Sequence, residues 1–158
     1  MFRKILVIDD STTLHNLYEI LFRPLNAELL FASNGQDALR TFHANGDIEA
    51  VFLDMKMPGM PGIEVLDELR KTVHGDTLPI FIVSAVDEDR PIIDAMRRGA
   101  DGYITKPFSL KQLLLLMRRY SYKKATRTFV NANRPDRATK KTKRRAIRVE
   151  KAKSLPMR

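Results

Sequence analysis

The most informative segment of the chain is Ala50-Val51-Phe52-Leu53-Asp54, which is followed by the loop Met55-Lys56-Met57-Pro58-Gly59. A short, continuous apolar run that is bounded by turn residues is typical of a strand buried on both faces. The carboxylate at the end of such a strand would lie at the carboxyl edge of a parallel sheet, where open α/β sheets bind ligands. Asp54 is therefore the first candidate functional residue.

Three other apolar runs also end in polar side chains, at Asp9 and Asp10, at Ser84, and at Lys106. If these runs form parallel neighbouring strands, three carboxylates, a hydroxyl and an ammonium converge on one point. Such a set of groups suits a divalent metal and a phosphoryl group.

Helical patterns separate the apolar runs. The clearest is the stripe formed by Leu14, Leu17, Tyr18 and Leu21 after Thr12. Further helices are predicted over 36–42, 63–71, from position 87 or 89 to 98, and 110–120, and a second strand over 29–32. This alternation predicts an α/β fold of five parallel strands and five helices in a three-layer sandwich. A (βα)8 barrel is excluded because it needs roughly 250 residues.

Composition limits the function classes. The chain has 158 residues and no cysteine, which excludes disulfides, thiol nucleophiles and cysteine metal sites. No apolar run approaches the roughly 20 residues of a membrane helix, and the N-terminus shows no signal-peptide pattern. We therefore expect a cytoplasmic protein.

The net charge of +9 divides unevenly along the chain. Residues 1–120 carry 14 Lys and Arg against 17 Asp and Glu, a net −3, whereas residues 121–158 carry 14 against two, a net +12. The pattern predicts a folded domain over 1–120 and a basic tail over 121–158 that is disordered when free. Nucleic acid or another polyanion is a candidate partner of this tail.

The acidic cluster suits Mg²⁺, which prefers oxygen ligands. Asp9, Asp10 and Asp54 would supply carboxylates, and the Lys56 backbone carbonyl could supply a further ligand. Each acid taken singly could instead be a helix or loop cap. Together they would repel one another unless a cation lies among them.

Asp54 could also act as a nucleophile that accepts a phosphoryl group as an acyl phosphate. Lys106 would provide the cation opposite it, and Ser84 a hydroxyl donor. Alone, Lys106 could be a solvated loop residue, and Ser84 a cap for the helix that follows.

These positions, in this order and spacing, resemble the response-regulator receiver domain in its chemotaxis-type single-domain form, over about residues 3–120. The loop after Asp54 and the segment Gly99-Ala100-Asp101-Gly102-Tyr103 also match that family's pattern. The resemblance implies a flavodoxin-like fold with strand order 2-1-3-4-5. It also implies a two-component signalling protein rather than an enzyme.

The resemblance implies a role for each matching residue. Asp54 would accept a phosphoryl group from a sensor histidine kinase or phosphotransfer protein, with Mg²⁺ held by Asp9, Asp10, Asp54 and the Lys56 carbonyl. The domain would assist its own phosphorylation and dephosphorylation.

Three other matching positions would respond to the phosphoryl group. Lys106 would pair with a phosphoryl oxygen, Ser84 would move toward it, and Tyr103 would rotate inward. The Lys106-Pro107 bond would be cis. A downstream protein would bind the fourth helix, fifth strand and fifth helix, and phosphorylation could produce a homodimer through that surface.

Two positions depart from the common pattern, and three other functions are compatible with parts of the sequence. Ser84 replaces the commoner Thr, and Lys56 adds a cation where many relatives have an amide or apolar side chain. Lys56 also counts against an aspartate-based phosphatase, which often needs a second acid at that position. A nucleic-acid-binding protein regulated by its receiver and a pseudo-receiver scaffold are the remaining alternatives.

Overall fold

The computed structural model describes residues 2–85 and 89–132. The strands are β1 Lys4–Ile8, β2 Glu28–Ala32, β3 Ala50–Asp54, β4 Ile80–Ala85 and β5 Gly102–Lys106. The helices are α1 Thr12–Phe22, α2 Gly35–Ala44, α3 Gly62–Arg70, α4 Val73–Thr77, α5 Asp89–Arg97 and α6 Leu110–Ala132, and a 3-10 turn covers Arg23–Leu25.

All five strands are parallel, and their order is β2-β1-β3-β4-β5. The predicted α/β fold and the implied order 2-1-3-4-5 are therefore confirmed. In the register, Ile8 pairs with Leu53 and Asp54 with Val83. The carboxyl ends of β1, β3 and β4 consequently lie side by side.

Successive side chains of each strand point to opposite layers. Strands β1, β3 and β4 are almost wholly buried, whereas the edge strands β2 and β5 are partly exposed. One core cluster contains Val7, Phe52 and Ile104 together with residues of α1 and α6. The other contains Ile8 and Leu53 together with residues of α2, α3 and α5. Two apolar layers around one sheet form the predicted three-layer sandwich.

Side-chain hydroxyls cap the N-termini of α1 and α6. The Ser11 hydroxyl accepts a hydrogen bond from the Leu14 amide at 3.4 Å, and the Ser109 hydroxyl accepts one from the Gln112 amide at 3.4 Å. Gly99 has φ +100° after α5, which is typical of a glycine that ends a helix. Of the two predicted first positions of α5, the helix begins at position 89, and position 87 lies outside the described residues.

Two helical features differ from the prediction. The short helix α4 was not predicted, so the predicted fourth and fifth helices are α5 and α6. Hydrogen bonds from the Arg70 side chain hold α4 in place, since its guanidinium donates to the carbonyls of Gly75, Leu78 and Gly99. A five-residue helix of this kind has no sequence periodicity.

The last helix was predicted to end at Tyr120, which is wrong. It continues to Ala132 because no glycine or proline interrupts the chain between residues 110 and 134. In its first part Leu113 and Met117 are buried, and Leu115 is 46% exposed. Predictions for the tail beyond position 132 lie outside the described residues.

Within residues 2–85 and 89–132, no helix combines the length and apolar character that crossing a membrane requires.

Candidate functional site

The strands aim three charged side chains at one point. Asp9 follows β1, while Asp54 ends β3 and Lys106 ends β5. Each lies two residues after a member of the core cluster between the sheet and helices α1 and α6. Because side chains alternate along a strand, all three charged groups project toward that layer at the carboxyl edge.

The Lys106 ammonium joins the two buried carboxylates. Its Nζ atom donates to Asp54 Oδ2 at 2.6 Å and to Asp9 Oδ2 at 2.8 Å. Asp9 is 1% exposed and Asp54 6%. Two carboxylates at this depth would repel each other strongly without the shared cation.

Backbone amides satisfy the other oxygen of each carboxylate. Ser11 N–H donates to Asp9 Oδ1 at 2.9 Å, and Lys56 N–H donates to Asp54 Oδ1 at 3.1 Å. Both acids therefore accept two hydrogen bonds. The arrangement fixes the direction in which each carboxylate points.

The pKa of Lys106 reflects opposing effects. Burial lowers it, but the hydrogen bonds and charges of Asp54 and Asp9 raise it by more, so that the pKa lies above the usual 10.5. Lys106 is therefore charged at neutral pH.

Asp10 completes an acidic cluster. One carboxylate oxygen from each of Asp9, Asp10 and Asp54 lies within 4.8 Å of the others, and Asp10 is exposed. Oxygen donors at this spacing fit a hard divalent cation, with the open side at Asp10 left for water. The chemistry of the donors therefore suits Mg²⁺ better than a metal that prefers nitrogen or sulfur.

The loop after Asp54 folds tightly against the strand. Gly62 N–H donates to the Met55 carbonyl at 3.2 Å, and a Cβ atom at Gly62 would overlap the Asp54 carbonyl oxygen. Lys56 lies in this loop. The role of its carbonyl as a metal ligand stays a prediction.

Ser84 and Tyr103 lie on neighbouring strands but in different surroundings. Ser84 is buried, and its hydroxyl donates to the Ala85 carbonyl at 3.1 Å. Tyr103 is 52% exposed and lines an apolar depression with Ile92, Ile93 and Met96 of α5. The Lys106-Pro107 peptide bond is cis, as predicted.

Sequence reasoning missed two residues beside the site. His15 Nε2 donates to the Asp9 carbonyl at 2.7 Å, and its ring stacks on Phe31 with centroids 4.6 Å apart. Tyr18 was assigned to the apolar stripe of α1 only. Neither residue has a sequence signal, because each contact depends on how α1 packs against the sheet.

The chain is similar in sequence to known proteins. The sequence model of the family described as response regulator receiver domain matches residues 5–118. Transcriptional regulatory protein ResD of Bacillus subtilis (strain 168) is 32% identical over 133 residues, covering 84% of this chain and 53% of that protein. Response regulator MprA of Mycobacterium sp. (strain KMS) is 38% identical over 117 residues, covering 73% of this chain and 49% of that protein.

Solved structures show the same likeness. A response regulator receiver domain protein from Clostridium thermocellum has a TM-score of 0.70 and 31% identity, covering 78% of this chain and 97% of that one. Chemotaxis protein CheY4 of Vibrio cholerae has a TM-score of 0.70 at 23% identity, covering 76% of this chain and 99% of that one, which shows the fold alone. The chain spans about half the length of the two regulators ResD and MprA.

Replacing Lys106 by Met is expected to lower the free energy of unfolding by about 3 kcal/mol in metal-free buffer at neutral pH. Methionine keeps the apolar part of the side chain, so the loss of stability measures the cost of burying two carboxylates without their cation. Urea unfolding measures it.

The matched control is Lys71→Met, which removes an exposed ammonium 2.6 Å from Glu68 Oε1. It should cost little stability, because exposed ion pairs contribute little. Equal losses in the two variants would contradict the central role of Lys106.

Proposed function

This chain belongs to the family of response regulator receiver domains, and from that premise we propose that Asp54 is its phosphoacceptor. The phosphoryl group would come from the phosphohistidine of a sensor histidine kinase or a phosphotransfer protein. The observation that carries the proposal is the buried Asp54 carboxylate, which is held by Lys106 on one oxygen and by a backbone amide on the other. Receiver domains of two-component response regulators are signalling domains rather than conventional enzymes.

The transfer is a displacement at phosphorus. An oxygen of Asp54 forms a bond to phosphorus while the phosphorus–nitrogen bond of phosphohistidine breaks, and its electron pair returns to the imidazole. Lys106 already lies 2.6 Å from Asp54. Its ammonium would then pair with a phosphoryl oxygen and offset the added negative charge.

The acidic cluster would hold Mg²⁺ through Asp9, Asp10 and Asp54, with the Lys56 carbonyl as a further ligand. When bound, the ion offsets negative charge on the attacking and phosphoryl oxygens. The same residues would support the reverse loss of the phosphoryl group to water.

Ser84 and Tyr103 would report the modified state. The Ser84 hydroxyl would leave the Ala85 carbonyl for a phosphoryl oxygen, since a charged acceptor forms the stronger hydrogen bond. Tyr103, now half-exposed, would turn inward. The surface of α5, β5 and α6 would thereby change for a downstream protein or a second copy of the chain.

The charge distribution favours a second candidate function for residues 121–158, which carry a net +12. We propose that they form a basic extension of the receiver domain of residues 1–120, beginning within α6, that binds nucleic acid or another polyanion without base-specific reading. Both functions are consistent with a cytoplasmic protein.

The main test is phosphorylation of the full chain by a small acyl phosphate in the presence of Mg²⁺. Mass spectrometry should show one added phosphoryl group on the wild type and none on Asp54→Asn, because the amide is a poor nucleophile. Asp37→Asn, at an exposed carboxylate on α2, should be modified as the wild type is. A folded wild type that gains no phosphoryl group would refute the proposal.

Metal binding is tested by thermal unfolding with and without Mg²⁺. At 100 times the dissociation constant, Mg²⁺ should stabilise the wild type by about 2.7 kcal/mol. Asp10→Asn should lose most of this gain, yet be no less stable than the wild type without metal, because one repelling charge is gone. A full Mg²⁺ effect in Asp10→Asn would remove Asp10 from the ligand set, and Asp37→Asn is again the control.

The tail is tested by binding to double-stranded DNA of unrelated sequences at several salt concentrations. Affinity should fall steeply with salt and depend little on sequence, because clustered Lys and Arg release counterions from phosphates. A chain that ends after Ala132 should lose most of this binding. Binding that persists at high salt would contradict the electrostatic role.

A further inference from the structure

Tyr18 lies on helix α1, which begins beside the acidic site. Helix α1 begins at Thr12, directly after Asp9 and Asp10, so its N-terminus lies at the carboxyl edge of the sheet. Tyr18 is six residues farther along, roughly 9 Å down the helix axis. Helical side chains tilt toward the N-terminus of their helix, which for Tyr18 is the direction of the acids.

The ring of Tyr18 packs beneath the residues that carry the site. Its centroid lies 5.6 Å from Phe52 and 5.3 Å from Phe108. Phe52 precedes Asp54 by two positions on the same face of β3, and Phe108 follows Lys106 by two positions. Tyr18 thus occupies the layer immediately below the two charged groups.

The hydroxyl of Tyr18 lacks a protein partner. Among the residues that the structure describes, it is the one buried side-chain polar atom without a hydrogen bond, and Tyr18 is 1% exposed. Burial, followed by the negative charges of Asp9 and Asp54, raises the pKa of Tyr18 well above its usual value. The hydroxyl therefore keeps its proton and is available as a donor.

We propose that Tyr18 is a positioning residue of the acidic site, whose hydroxyl donates to a buried water that in turn donates to the carboxylates of Asp9 and Asp54. A buried hydroxyl is costly to leave unpaired. A water between it and two carboxylates would have the two to four polar partners that buried waters require. The additional donor would help to fix the orientation in which both acids face a divalent cation, and to this extent the inference rests on the proposed function.

The experiment compares Tyr18→Phe with the wild type in the full chain. Phenylalanine keeps the ring, so only the hydroxyl is lost. The control is Tyr120→Phe, which removes the hydroxyl that donates to the Thr77 carbonyl at 3.4 Å and lies outside the acidic cluster. Two quantities are measured: the unfolding midpoint in the presence of a chelator, and the dissociation constant of Mg²⁺ by calorimetric titration.

The proposal predicts that Tyr18→Phe lowers the metal-free unfolding midpoint and weakens Mg²⁺ binding about 10-fold. This is the lower end of the range that is typical for groups that orient metal ligands. Tyr120→Phe should leave the Mg²⁺ dissociation constant unchanged.

Either of two results overturns the inference alone. An unchanged or higher metal-free midpoint in Tyr18→Phe would mean that the hydroxyl makes no hydrogen bond. A lower midpoint with unchanged Mg²⁺ affinity would mean that its bond does not serve the site. A wild type that binds no Mg²⁺ would count against the proposed function itself and would overturn this inference with it.

Discussion

The ion pair of Lys106 with Asp54 and Asp9 is the interaction on which the site depends. Strand order places β1 and β3 side by side, so their terminal acids are necessarily close. Strand β4 separates β3 from β5, and adjacent strands lie about 4.8 Å apart. Lys106 must therefore reach across roughly 10 Å of sheet, past the small residue Ala85 with which it pairs in the register. Only a long cationic side chain can neutralise Asp54 from that strand.

Even with that ion pair, the cluster contains more negative than positive groups. Asp9, Asp10 and Asp54 lie together, and Lys106 is the cation that hydrogen-bonds to two of them. The three carboxylates therefore repel one another, and a divalent cation would offset this repulsion, as the proposed function requires. The buried acids supply fixed oxygens, while the exposed Asp10 leaves a side from which an ion and its waters can enter.

The sequence was enough to predict where the charged residues lie in the fold, but not what surrounds them. Asp54 and Lys106 could be placed because buried parallel strands read as apolar runs, and a polar residue that ends such a run must lie at the carboxyl edge. The contact of His15 with the Asp9 carbonyl could not be predicted, because it depends on the rotation and depth of α1 against the sheet. Helix α4 escaped prediction for a similar reason, since bonds from Arg70 hold it in place.

The proposed switch follows from a competition for one hydroxyl. Ser84 now donates to the carbonyl of its neighbour Ala85, a bond between neutral groups. Hydrogen bonds to ionised oxygens are roughly twice as strong as bonds between neutral groups. The Ser84 hydroxyl would therefore donate to a phosphoryl group on Asp54 in preference to the Ala85 carbonyl. Movement of Ser84 would open room beside β5, into which the half-exposed ring of Tyr103 could turn. Burying that ring removes apolar surface from water, which adds a favourable free energy to the same change. The modified state would thus be favoured both by the stronger hydrogen bond and by the burial of Tyr103, and the surface of α5, β5 and α6 would change with it.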